Sequence, residues 1–319
     1  MHKSTNGQRL KLCGMAFVVL LLAGACAPAP TPAPTPTQPP PTPAPTATPG
    51  APGIPQTRIP FLPSGTWQKD VTFCQDGATA LKMDVLYPDA ATGAAAPVAV
   101  FLHYLDGNKD SVDIDATGEL LKRGYVVVVP NWRHAADLKL PVGIGDAKCA
   151  IRHLRANAAA YAIDPNRIGA WGCRTGGTLA ALLGVTNADA GLEGNGGYAD
   201  QPSRIEAVAA RDAITFVHVT WAESDLQDMF GVSSADDPVL VKTSPLTYVS
   251  KDSPPFLIFQ DAQDGTRPGN QELYDKLKAN DVPATLVEIT GSEACGPAGD
   301  PSREDRAKMI ADFFDQSLK

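Results

Sequence analysis

Apolar residues fall into three regimes along this chain. Residues 12–25 are almost unbroken apolar. Residues 27–57 show no period at all and are dominated by Pro, Ala and Thr. From about residue 61, short apolar runs alternate with segments of helical spacing. Strands are predicted over 71–74, 81–87, 97–103, 125–130, 167–171, 205–210, 255–259 and 284–289. The run Tyr125-Val-Val-Val-Val-Pro130 has no polar alternation, as expected of a strand covered on both faces. Helices are predicted over 145–162, 178–183, 271–279 and 303–318; Ala150, Ile151, Leu154 and Ala158 share one face of the first. Strands alternating with helices predict an α/β domain, a mostly parallel central sheet flanked by helices on both faces. Residues 214–243 fit this alternation poorly and read as an insertion or lid.

Composition narrows the partners. The 319 residues are 44% hydrophobic and 19% charged, enough apolar content to bury a core. The net charge is −8, against the basic face that nucleic-acid binding requires, so no nucleic-acid partner is expected. Residues 27–55 hold 13 of the 29 prolines.

The first 25 residues read as an export address. His2, Lys3, Arg9 and Lys11 precede the apolar run, which ends in Ala23-Gly24-Ala25. The run is short for a membrane span, which needs about 20 residues. An uncleaved anchor is the competing reading. Leu22-Ala-Gly-Ala-Cys26 resembles a bacterial lipobox, with Ala23 where Leu is usual. That resemblance implies removal of residues 1–25, acylation of Cys26 and an extracytoplasmic protein anchored by lipid to a bacterial membrane. Residues 26–60 then form a linker. Proline removes the backbone donors that helix or sheet would need, so an extended polyproline stalk is expected. Residues 61–319 form the folded domain.

One segment of that domain is diagnostic. Trp171-Gly-Cys-Arg-Thr-Gly-Gly177 places a glycine-framed turn between a predicted strand and a predicted helix, the layout of a nucleophile elbow. Gly172 and Gly176 frame an apex at Arg174. Around it lie Asp146-Ala-Lys-Cys-Ala-Ile-Arg-His-Leu-Arg155, Ile163-Asp-Pro-Asn-Arg-Ile-Gly169, Glu193-Gly-Asn-Gly-Gly-Tyr198, Ser244-Pro-Leu-Thr-Tyr-Val-Ser250 and Pro254-Pro-Phe-Leu-Ile258. With these the chain resembles the feruloyl-esterase-like (BD-FAE) and carboxylesterase group of bacterial α/β-hydrolases, from about Val71 onward. The resemblance implies an α/β-hydrolase fold and, in its active members, serine-dependent hydrolysis of carboxylic esters without a cofactor.

The residues that would carry that chemistry depart from the family pattern. Arg174 stands at the serine position, and a guanidinium, a donor that stays protonated, cannot attack a carbonyl. Asp264 occupies the acid position within Gln260-Asp-Ala-Gln-Asp264. Ala294 stands at the histidine position within Gly291-Ser-Glu-Ala-Cys-Gly296. The oxyanion loop reads His103-Tyr104-Leu105-Asp106-Gly107, with two of three expected glycines replaced and a carboxylate introduced where donors are wanted. Loss of either serine or histidine from a triad costs about 10⁶ in kcat. The expected protein is a family member that has lost its acyl chemistry while keeping the pocket, with a small anionic or ester-related ligand as its expected partner. The alternative is an active carboxylic-ester hydrolase with a non-standard nucleophile: Cys173, Thr175 or Ser292, served by His134, His153 or His218.

Arg174 admits two readings: an ion pair with Asp264, Glu293 or Asp106 that plugs the old site, or recognition of an anion. Four cysteines remain in the folded domain. The family resemblance favours a Cys74–Cys149 bridge; Cys173 and Cys295 flank the lost serine and histidine, either as a second bridge or as free thiols. No His, Cys or Asp cluster has metal-ligand spacing, and no phosphate loop or dinucleotide fingerprint occurs.

Overall fold

The computed structural model describes residues 57–89, 95–133, 140–215, 227, 230–291 and 295–319. Eight strands form one sheet: β1 (Thr66–Asp76), β2 (Thr79–Tyr87), β3 (Ala96–Leu102), β4 (Val126–Pro130), β5 (Ile163–Cys173), β6 (Ala207–Arg211), β7 (Phe256–Asp261) and β8 (Ala284–Ile289). Their spatial order is β1-β2-β4-β3-β5-β6-β7-β8. β1, β2 and β4 pair antiparallel, and the six strands β4, β3, β5, β6, β7 and β8 are parallel. The helices are α1 (Ile114–Lys122), α2 (Leu140–Ala156), α3 (Ala158–Tyr161), α4 (Thr175–Val185), α5 (Pro238–Lys242), α6 (Arg267–Ala279) and α7 (Arg303–Leu318).

The two-residue period of the strands sorts the core into two layers. Val98, Val100, Leu102, Val126, Val128, Ala170, Val208, Ala210, Phe256 and Ile258 pack with α2, α4 and α6. Their sequence neighbours Ala99, Phe101, Val127, Val129, Trp171, Ala209, Leu257 and Phe259 pack with α1 and α7. Every residue of β4 is buried, which is why its sequence lacks alternation.

Boundaries differ from the sequence expectation where local sequence competes with pairing. The helix predicted over 145–162 is two helices. α2 ends at Ala156, and α3 closes on Ala162 in the left-handed region at φ 54°. β5 begins at Ile163 rather than 167: Ile163 pairs with Ala96, and an irregularity carrying Pro165 intervenes before Ile168 joins Val98.

The charged residues of the family-like segment around α2 are structural. Asp146 accepts from Arg133 Nε at 2.9 Å and Nη2 at 2.7 Å. Lys148, fully buried, donates to Glu193 at 2.7 Å and Ser203 at 2.9 Å. Arg152 donates to the same Glu193. The first pair ties α2 to the segment after β4, and the Lys148 and Arg152 contacts hold it against the 193–203 loop. The Cys74–Cys149 bridge, with a Cα separation of 6.3 Å, ties β1 to the same helix. Of the segment 214–243, residues 216–226, 228 and 229 lie outside the described residues; the remainder includes α5.

Candidate functional site at the strand ends

The site is built where β5, β6 and β7 end together. β5 stops at Cys173, the chain turns at Arg174, and α4 starts at Thr175. Arg174 sits at φ 51°, ψ −117°, a conformation that non-glycine residues rarely adopt. Gly172 and Gly176 make the turn possible. A Cβ on Gly176 would lie 2.0 Å from the Leu102 carbonyl oxygen, and one on Gly172 would lie 2.5 Å from the Gly176 carbonyl carbon. The elbow is thus formed with an arginine at its apex.

Arg174 Nη1 lies 3.3 Å from Asp264 Oδ2 and 3.4 Å from Oδ1. Asp264 is nearly buried, and its Oδ1 also accepts from Thr266 N and Oγ1 at 2.8 Å each. The Arg174 side chain keeps 36% of its surface exposed. Its Nε and Nη2 have no hydrogen-bond partner among the described residues.

Other site candidates fall as follows. His103 is buried, stacked on Trp132 at 4.9 Å, with Nδ1 2.9 Å from the Tyr104 carbonyl. Tyr104 and Asp106 are exposed, and Gly107 N donates to Tyr104 O, closing a tight turn. Thr175 is buried, and its hydroxyl has no hydrogen-bond partner among the described residues. His153 lies in α2 between the hydroxyls of Tyr161 at 2.8 Å and Tyr198 at 3.2 Å, a packing role. Ala294, Ser292, Glu293, His134, His218 and Cys26 lie outside the described residues. Cys173 is bonded to Cys295, Cα to Cα 6.0 Å, so of the two options left by the sequence the bridge is the one formed, and it occupies the thiol.

Sequence reading missed the charged layer behind the elbow. Arg211 ends β6 and donates to both oxygens of Asp261 at 2.9 and 2.8 Å. Asp212 follows at φ 46°, completely buried, its Oδ1 accepting from Asp261 N at 2.7 Å. Burial pushes the Asp212 carboxyl up to about 7, with the Asp261 and Asp264 charges adding to the effect. The signal was present: Arg211-Asp212 directly follows the apolar run Ala207-Val-Ala-Ala210, where a charged pair must find buried partners.

Beside the elbow lies a cavity of about 290 Å³. Phe101, Trp171 and Phe259 form its apolar side; Asp113, Arg211 and Arg306 contribute polar groups, and the Cys173–Cys295 bridge borders it. Arg306 is buried and donates to the carbonyls of Gly296, Pro297, Ala298 and Pro301, which hold the loop before α7.

A mostly parallel eight-stranded sheet with a sharp strand–turn–helix elbow and an acid after the penultimate strand defines an α/β-hydrolase fold. Residues 83–277 match the BD-FAE family, and the chain belongs to it. Among curated proteins it is similar to the esterase LipQ of Mycobacterium tuberculosis, 27% identical over 243 residues. That match covers 72% of this chain and 57% of LipQ, so the chain spans little more than half of that relative. A truncated carbohydrate esterase from gut microbiota superposes with a TM-score of 0.70 at 23% identity, covering 82% of this chain and 99% of the other. A bifunctional GH43-CE protein of Bacteroides eggerthii superposes with a TM-score of 0.69 at 28% identity, covering 79% of this chain and 38% of that one.

Proposed function

We propose that this chain is a non-hydrolysing member of the BD-FAE family, whose inherited site binds a small anionic or ester-related ligand. The observation that carries the reading is the elbow apex. The position that should project a nucleophile bears Arg174, and the acid that should orient a histidine serves as its counter-ion. Support for an anionic ligand comes from the same side chain. Only Nη1 engages Asp264; the Nε/Nη2 edge is a fork suited to a second carboxylate. Export, acylation at Cys26 and tethering through the 26–60 linker complete the proposal: a binding domain held off a bacterial membrane surface.

The test is hydrolysis of p-nitrophenyl acetate by the purified chain, with acetate and benzoate titrated calorimetrically in parallel. Rates at the buffer level, with carboxylate binding abolished by R174Q, are expected. Turnover well above buffer that disappears in T175A or S292A overturns the non-hydrolysing reading. Carboxylate binding unchanged in R174Q overturns the ligand assignment. Palmitate labelling of the full chain in a bacterial host, lost in C26A, tests the anchor.

A further inference from the structure

The two disulfides occupy different chemical settings. Cys74 and Cys149 are buried, and Gly196 is packed so closely on the latter that a Cβ there would lie 2.4 Å from the Cys149 Sγ. Cys173 and Cys295 are only half-buried and border the cavity beside the elbow. Their two Sγ atoms and a carboxylate oxygen of Asp212 lie within 4.8 Å of one another. Among the described residues Asp212 Oδ2 accepts no hydrogen bond, and Arg211 Nε stands 3.4 Å from it in an ion pair. Three non-glycine residues in or beside this group have positive φ: Arg174 at 51°, Asp212 at 46° and Cys295 at 65°. Backbone in such conformations persists only where its surroundings over-determine it, and it clusters at functional positions.

We propose that Cys173–Cys295 is a thiol–disulfide exchange site in which Asp212 is the proton-transfer group. The co-reactant is an external dithiol. Its thiolate attacks Cys295 Sγ; the S–S bond breaks, and Cys173 leaves as a thiolate at the N-terminal end of α4, where the helix dipole favours negative charge. The carboxylic acid form of Asp212 gives that thiolate its proton. The second thiolate of the co-reactant then attacks the mixed disulfide, releasing the Cys295 thiolate and a cyclic disulfide. In the reverse direction Asp212 carboxylate takes the thiol proton. Opening the bridge removes the covalent link between the elbow and residues 295–297, which line the cavity and keep their hydrogen bonds from Arg211 and Arg306.

Among the described residues, the charged groups facing Asp212 are Arg211 from β6, Asp261 from the end of β7 and Asp264 from the loop beyond it, which in turn holds Arg174. Their balance, with burial, leaves Asp212 titrating near 7, so both of its protonation states are available at neutral pH. The exchange does not depend on whether the site hydrolyses esters.

The oxidised full-length chain, exposed to dithiothreitol under native conditions and quenched by alkylation, should be labelled at Cys173 and Cys295 at least ~100-fold faster than at Cys74 and Cys149. Re-oxidation of the reduced pair by oxidised glutathione should accelerate through an inflection near pH 7. D212N should slow it at least ~10-fold and remove that inflection. Equal reduction rates for the two bridges overturn the exchange site, a result readable in the wild-type chain even if D212N fails to fold. An unchanged pH profile in folded D212N overturns the role of Asp212.

Discussion

Arg174 Nη1 reaches across the strand ends to Asp264 Oδ2, 3.3 Å away and 90 residues later in the chain. The acid side chain is nearly buried, the guanidinium only partly so, and solvent screens part of their attraction. R174M therefore leaves Asp264 with its two Thr266 hydrogen bonds and one missing cation. A loss of about 1–2 kcal/mol in urea denaturation is expected. The cycle with D264N should give a coupling of about 1 kcal/mol. No coupling would mean that the two groups are neighbours without being partners.

The elbow glycines tolerate nothing larger. G176A drives a Cβ against the backbone oxygen of Leu102, which cannot swing away as a side chain could. A loss of more than ~4 kcal/mol, or insoluble expression, is the expected outcome. G265A, where a Cβ meets nothing within 4 Å, is the matched control and should lie within ~0.5 kcal/mol of wild type.

Cys74–Cys149 closes a loop with a sequence separation of 75. Cross-linking a loop of that size restricts the unfolded chain by about 4 kcal/mol. C74A/C149A should lose roughly that much in equilibrium unfolding, and a loss below ~1 kcal/mol would show that the α2–β1 contact holds without the bridge.

Two buried groups pull the pH dependence of stability in opposite directions. Burial lowers His153 to about 4, so the unfolded chain takes up its proton first as pH falls from about 6.5. Its contribution is complete above that value and lost on acidification toward 4. Asp212, raised to about 7, holds a proton in the folded state that the unfolded carboxyl has released. Its contribution is complete below about 4 and lost as pH rises through 7. Between pH 4 and 6.5 each is worth on the order of 3 kcal/mol, and the two slopes oppose. Denaturant midpoints across that window should fall with rising pH in H153Q and climb with rising pH in D212N. Parallel profiles for both variants would contradict the assigned directions.

Much of this protein could be read from local sequence, because local sequence carries periodicity and turn chemistry. Unbroken apolar runs such as 126–129 announce strands with both faces covered. Gly172 and Gly176, between a predicted strand and a predicted helix, announce an elbow, since only a missing Cβ permits that approach. The substitution at residue 174 is a fact of the sequence itself, and it bears on the chemistry before any coordinate is known. What the sequence could not supply is which side chains meet at the ends of strands that are far apart along the chain. The pairing of Arg174 with Asp264, the Cys173–Cys295 bridge across 122 residues and the buried Arg211–Asp212–Asp261 layer all depend on β5, β6 and β7 lying side by side. Strand order places them there, and strand order follows from burying both faces of one sheet together, a property of the whole chain rather than of any segment.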